Sequence, residues 1–183
     1  MSELLRLRRR DLSPVAAHRA LQRGDLERIA PGVYRKSDRT PADQDKLQAV
    51  ALRPHATICL TSALAHHDLI DEIPTSLQIA LPRGTRIPKG TPTLTWHVFD
   101  PDTFDLGRDV ATIDGSTELI GLYNPQRSIV DAFRLRGQVG YETSRDALKE
   151  WLRRGGKPAE IAQLAIQIPR AKRPVFDALE VLS

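Results

Sequence analysis

Cysteine is almost missing from this chain of 183 residues. Cys59 stands alone, which excludes an intramolecular disulfide and a cysteine-rich zinc site. Ile58 and Leu60 flank it and point to a buried thiol rather than a reactive one. Aromatic residues make up only 5% of the chain, so a core has to rest on Leu, Ile, Val and Ala. No apolar run approaches the roughly 18 residues of a membrane span. The opening MSELLRLRRR carries charge but lacks the apolar stretch of a secretory signal, and the protein reads as cytoplasmic. The usual catalytic signatures are absent too: no Walker A loop, no GxGxxG and no GxSxG. No Glu-x-Lys triplet follows an Asp in the manner of a Mg²⁺-dependent nuclease. The expectation is a binding protein, not an enzyme, with no cofactor and no metal.

What is present suits a folded chain: 40% of the residues are hydrophobic, enough for a packed core. The net charge of +4 is unevenly spread. Residues 1–36 hold nine Lys/Arg against four Asp/Glu, residues 37–133 eight against thirteen, and residues 134–173 ten against four. Such blocks suit a polyanion partner at one or both ends, or are ordinary solvated helix faces.

Ser13-Pro14 is a strong helix start, and Gly24 a strong stop. Between them PVAAHRALQR puts Ala16, Ala17, Ala20 and Leu21 on an apolar side and His18, Arg19, Gln22 and Arg23 on a polar one. DLERIA and VYRK around Pro31-Gly32 then read as a small hairpin. A short basic helix running into a hairpin is the back half of a winged helix-turn-helix, in which the helix enters the major groove and the wing touches phosphate. Thr40-Pro41 signals a further helix with Leu47, Val50 and Ala51 inward. ATICL is followed by a short helix capped by Thr61 or Ser62 and running to about His67. Strands are expected near 76–81, 93–99, 110–113 and 118–122, the last two joined at Asp114-Gly115. From Asn124 onward four helices follow, in NPQRSIVDAFRLR, ETSRDALKEWLRR, KPAEIAQLAIQ and PRAKRPVFDALEVL. The predicted class is α+β: a partial winged helix-turn-helix over residues 1–39, then a mixed α/β domain over 40–183 with a helical C-terminal part.

His66 and His67 stand beside Asp68, Asp71 and Glu72, a vocabulary shared with metal sites. Adjacent helical residues lie about 100° apart, however, and do not face one another. A helix end suits them better, with a protonatable ring near the negative end of the dipole. Further on, Arg145, Lys149, Arg153 and Arg154 lie at near-helical spacing and are expected to form one positive patch, able to meet an acidic protein face or to shield a nucleic acid, or else a solvated face only.

Taken in order after HRALQRGDLERIAPGVYR, the segments TSALAHHDL, SLQIALPRG and GLYNPQRSIVDAF resemble the AbiEi-type antitoxin family of abortive-infection systems, over nearly the whole chain. The resemblance implies an N-terminal winged helix that binds and represses the operon's own promoter. It also implies a C-terminal domain that counteracts a nucleotidyltransferase-like toxin. Carried over, the DNA-facing residues are His18, Arg19, Gln22 and Arg23 on the helix and Arg28, Arg35 and Lys36 on the wing. Ser62, Leu64, His66 and His67 fall on the family's signature stretch, as do Arg127 and Asp131, which lie i, i+4 apart and suit a structural clamp. Asp68 replaces the family's usual glycine, a substitution that the left-handed region tolerates in Asp better than in most residues. The helix that the family carries before SELLRLRRRD is expected to fall outside this sequence, either because its start is misassigned or trimmed or because the DNA-binding core is incomplete, hence a partial winged helix. The alternative is an antitoxin that neutralises its toxin in a direct complex without DNA binding. Neither reading fixes an oligomeric state.

Overall fold

The computed structural model describes residues 2–7, 12–40 and 42–182. The chain divides into two compact units, Met1–Ala56 with Val110–Ile120, and Thr57–Asp109 with Gly121–Ser183. The class is α+β.

The first unit begins with strand β1 (Leu5–Arg6), helix α1 (Pro14–Arg23), strands β2 (Leu26–Ala30) and β3 (Val33–Lys36), and helix α2 (Gln44–Leu52). The strands form an antiparallel sheet of order β1-β3-β2. Ala17 and Ala20 of α1 pack on Leu26 and Tyr34, with Leu5, Leu7, Leu12 and Leu21 around them. Strand, helix and hairpin thus follow one another as in the second half of a winged helix. The helix start expected at Thr40-Pro41 lies later. Asp43 is the cap, its carboxylate accepting from the Lys46 N–H at 3.1 Å; Pro41 lies outside the described residues. The boundary expected after residue 39 also moves, because α2 packs on β2 and the unit regains Val110–Ile120 from far along the chain. No local sequence signal announces such a return.

The second unit contains β4 (Thr57–Ile58), α3 (Leu60–His66), β5 (Leu77–Pro82) and β6 (Leu94–Phe99). After a 3-10 turn at Pro101–Thr103 come β7 (Arg108–Thr112) and β8 (Leu119–Tyr123), a hairpin that passes through the Val110–Ile120 segment. The five strands are ordered β6-β5-β4-β8-β7. Helices α4 (Pro125–Arg134), α5 (Arg136–Val139), α6 (Tyr141–Arg153), α7 (Pro158–Gln167) and α8 (Lys172–Leu182) complete the unit. The short α5 was not among the four expected helices. Asn124 caps α4 by accepting from the Arg127 N–H at 2.9 Å, with Pro125 at the first position. That helix packs against α3, α6, α7 and α8, and Ile129, Val130 and Phe133 join Leu148, Trp151, Ile161 and Val175 in the main core. Cys59 is buried with Leu60, Phe99, Phe104 and Tyr123, and burial pushes its thiol well above the ordinary range.

At the centre of this unit Arg127 is 1% exposed and Asp131 fully buried, joined at 2.7 Å. Removing one partner of a buried ion pair costs about 3–5 kcal/mol, whereas an apolar replacement of both costs far less. Arg127→Met should therefore lower unfolding stability by roughly that amount, measured in urea, and Arg127→Met/Asp131→Leu by less. Additive losses would show that the two residues act independently.

Candidate nucleic-acid interface

Helix α1 is set by its ends. The Ser13 hydroxyl accepts from the Ala16 N–H at 3.2 Å, and Gly24, at φ 78°, turns its N–H back to the Ala20 and Leu21 carbonyls. With Ala17 and Ala20 buried, the helix phase leaves His18, Arg19, Gln22 and Arg23 exposed together. Arg23 makes a surface pair with Asp25 at 2.7 Å, the kind that contributes little. Val15, 61% exposed, shares this outer face. Hydropathy alone assigns a valine to the core, so only the phase of the helix reveals it.

On the wing the structure divides the expected set. Arg28 and Lys36 are exposed. Arg35 is not: it is 1% exposed, and its guanidinium donates to Glu3 (3.1 Å), Glu27 (3.2 Å), the Thr40 carbonyl (2.9 Å) and the Gly115 carbonyl (2.6 Å). Successive strand residues face opposite ways, so Arg35 and Lys36 cannot both line one surface. Arg35 is a clamp within its unit, and its assignment to the DNA-facing set is corrected. Of the expected set, His18, Arg19, Gln22, Arg23, Arg28 and Lys36 are exposed.

The histidines sit at the end of α3. The rings of His66 and His67 meet edge-on at 86° with centroids 5.3 Å apart. His67 Nε2 lies 2.8 Å from the Tyr123 carbonyl oxygen, tying the helix end to β8. Asp68 follows at φ 53°, the left-handed turn that the sequence required of it. The helix start differs from expectation. Cys59, with no side-chain cap, precedes α3, while Ser62 is spent on tertiary contact, accepting from the Gln78 N–H at 2.9 Å. Leu64 is buried in the main core. Among the described residues no three His, Cys, Asp or Glu side chains form a metal-holding group.

The basic residues of α6 do not make a positive patch. Arg145 pairs with Glu142 and, at 3.2 Å, with Asp146. Arg153 and Arg154 reach Glu150 at 2.6 and 2.7 Å. Arg154 also donates to the His67 carbonyl at 3.1 Å and to that of Asp68, closing the end of α3. Lys149 is exposed, with no ion pair among the described residues. The adjoining cleft, about 990 Å³, is walled by Asp68, Asp71, Glu72, Glu142, Asp146 and Glu150 together with Arg153 and Arg154. Acids at i, i+3 and i+4 neutralise the arginines from within the helix, which corrects the continuous patch expected there.

No family model matches the chain, and no curated protein matches it. Among solved structures it is similar to the crystal structure of the RV2827C protein from Mycobacterium tuberculosis, with a TM-score of 0.59 at 18% identity, over 92% of this chain. The chain spans 65% of that protein's length. At this identity the likeness concerns the fold.

The Glu150 cluster sets a measurable pH dependence. Hydrogen bonds from Arg153 and Arg154 hold the Glu150 carboxyl down to about 2 from its usual 4.5. A carboxyl lowered in the folded chain adds stability above its unfolded value, and that stability is lost as pH falls from about 4.5 towards 2. Over this window Tm should drop more steeply in the parent chain than in Glu150→Gln. Parallel Tm curves would mean that the cluster contributes nothing.

Proposed function

We propose that the chain is an AbiEi-type antitoxin that represses its own operon and counteracts a nucleotidyltransferase-like toxin. One observation carries the DNA-binding half: a strand–helix–hairpin unit that leaves Arg19, Arg28 and Lys36 exposed, none of them ion-paired among the described residues. Helix α1 has no acid in its ten residues, so Arg19 stays available to phosphate, while Arg23 pairs with Asp25 just beyond the helix. The antitoxin half rests on the motif resemblance and is assigned to the second unit. On this reading the protein is a cytoplasmic binding protein, not an enzyme, and needs no cofactor or metal. No helix of the described chain is long and apolar enough to cross a membrane.

A second reading, neutralisation by a direct complex with the toxin, draws on the acidic cleft beside α6, a surface suited to a basic protein face. Two measurements separate the readings. First, the chain should bind the DNA upstream of its own gene in preference to unrelated DNA. Arg28→Ala/Lys36→Ala should flatten the log K against log salt slope by roughly 0.9 per lost phosphate contact. An unchanged slope removes the wing from the interface. Second, Arg19→Ala/Arg28→Ala/Lys36→Ala should lose promoter repression yet still rescue cells that express the toxin. Loss of rescue in this folded variant would tie antitoxicity to DNA binding, and co-purification of toxin with it would favour the direct complex.

A further inference from the structure

Helix α1 turns by about 100° per residue. Ala17 and Ala20, buried, and Leu21, half-buried, fix the inward direction. Val15, Arg19 and Gln22 then lie within about 30–40° of the opposite direction, at positions i, i+4 and i+7, and all three are exposed. They form the outermost ridge of the helix, with His18 on one flank and Arg23 on the other. An isopropyl group there gives the ridge an apolar contact beside its polar ones. Valine is a weaker helix former than alanine, and at 61% exposure it packs on little of its own chain.

We propose that this ridge reads base edges and that Val15 is the reader of a thymine methyl. The proposal rests on the DNA-binding reading above and names the bases that it addresses. In the major groove the thymine C5-methyl is the apolar feature presented by a base pair, glutamine pairs in bidentate fashion with adenine, and arginine with guanine. A ridge of Val, Arg and Gln therefore matches thymine, guanine and adenine in turn. Its length fits: seven residues rise about 10.5 Å along the axis, and base pairs step by about 3.4 Å, so the ridge crosses roughly three steps. Val15 also lies in the first turn, behind the Ser13 cap, and recognition helices contact base edges with their N-terminal residues. His18 and Arg23, on the flanks, are placed for phosphate. Val15 is a specificity-determining residue in this arrangement, and Arg19 and Gln22 supply polar readout beside it.

The test compares two versions of the duplex upstream of the chain's own gene, one with thymine and one with deoxyuridine at every thymine position. Deoxyuridine lacks only the methyl group. The full chain should bind the uracil duplex roughly three- to tenfold more weakly, as expected for one or two buried methyl-sized contacts. Val15→Ala should bind the thymine duplex more weakly by a similar factor and then be indifferent to the exchange. Val15 is exposed, so the variant keeps its fold, which circular dichroism and Tm check directly. Equal binding of both duplexes by the parent chain, or a full uracil penalty retained in Val15→Ala, would overturn the methyl-reading role and leave the DNA-binding proposal standing. No preference of the parent chain for its upstream DNA over unrelated duplex would remove both.

Discussion

A guanidinium buried away from solvent needs partners for its N–H groups, and in the second unit Arg127 finds them through Nε and one terminal nitrogen, which fixes much around it. Its Nε donates to Asp131 at 2.7 Å, and one terminal nitrogen donates to the Thr103 and Leu106 carbonyls, each at 2.6 Å. The guanidinium carbon lies 4.4 Å from the Tyr123 ring centroid, a desolvated cation–π contact. Arg134 closes on the other Asp131 oxygen at 2.8 Å. The connection before β7 is thereby bound to α4. Gly107, at φ +68°, is part of the same fit: a Cβ there would lie 2.8 Å from that of Arg127. Tyr123, under the guanidinium, donates its hydroxyl to the Phe104 carbonyl, and its own carbonyl faces His67. Through this chain of contacts the ion pair sets where the histidine helix can end. His67 is therefore accounted for by packing.

Arg35 does the equivalent work in the first unit. Two carboxylates and two carbonyls take up its donors, and Gly115 belongs to the segment that returns to this unit from far along the chain. A side chain so committed has little left to offer a phosphate. Lys36, one position on, is exposed and loses nothing by binding one. Neighbouring cations on one strand thus have opposite fates because the pleat separates them.

Features encoded locally were legible in the sequence. Ser13, Pro14 and Gly24 bound α1 at the residues their chemistry requires, Asn124-Pro125 opens α4, and the chain turns at Asp114-Gly115 between β7 and β8. Several of the misses share a cause, a partner distant in sequence that decided the outcome, whereas the start of α2 and the charges of α6 were decided by near neighbours. Thr61 or Ser62 has the chemistry of a helix cap, but the Gln78 N–H claims the Ser62 hydroxyl. Thr40-Pro41 has the form of a helix start, yet Asp43 supplies the cap. Residue 39 marks the end of the wing, whereas the packing of α2 on β2 extends the unit beyond it. Composition could not anticipate Arg35 either, since a basic residue in a short strand is usually solvated.

The contrast between α1 and α6 carries the argument furthest. Both helices hold basic residues at helical spacing, and on sequence both were candidates for a binding surface. In α6 the intervening residues include Glu142, Asp146 and Glu150, which lie close enough to pair with three of the four cations. The Coulomb energy of those arginines is largely spent inside the helix, and a polyanion would have to displace it. In α1 the residues between Arg19 and Arg23 are Ala20, Leu21 and Gln22, so no acid competes along the helix, and Arg23 alone reaches one just beyond it. Cations without an internal partner gain most from a phosphate backbone, through the counterions released when they bind. The spacing of like charges therefore says less about a binding face than the residues between them. By that measure α1 suits a phosphate backbone better than α6 does, and the proposal of a nucleic-acid partner draws on that difference.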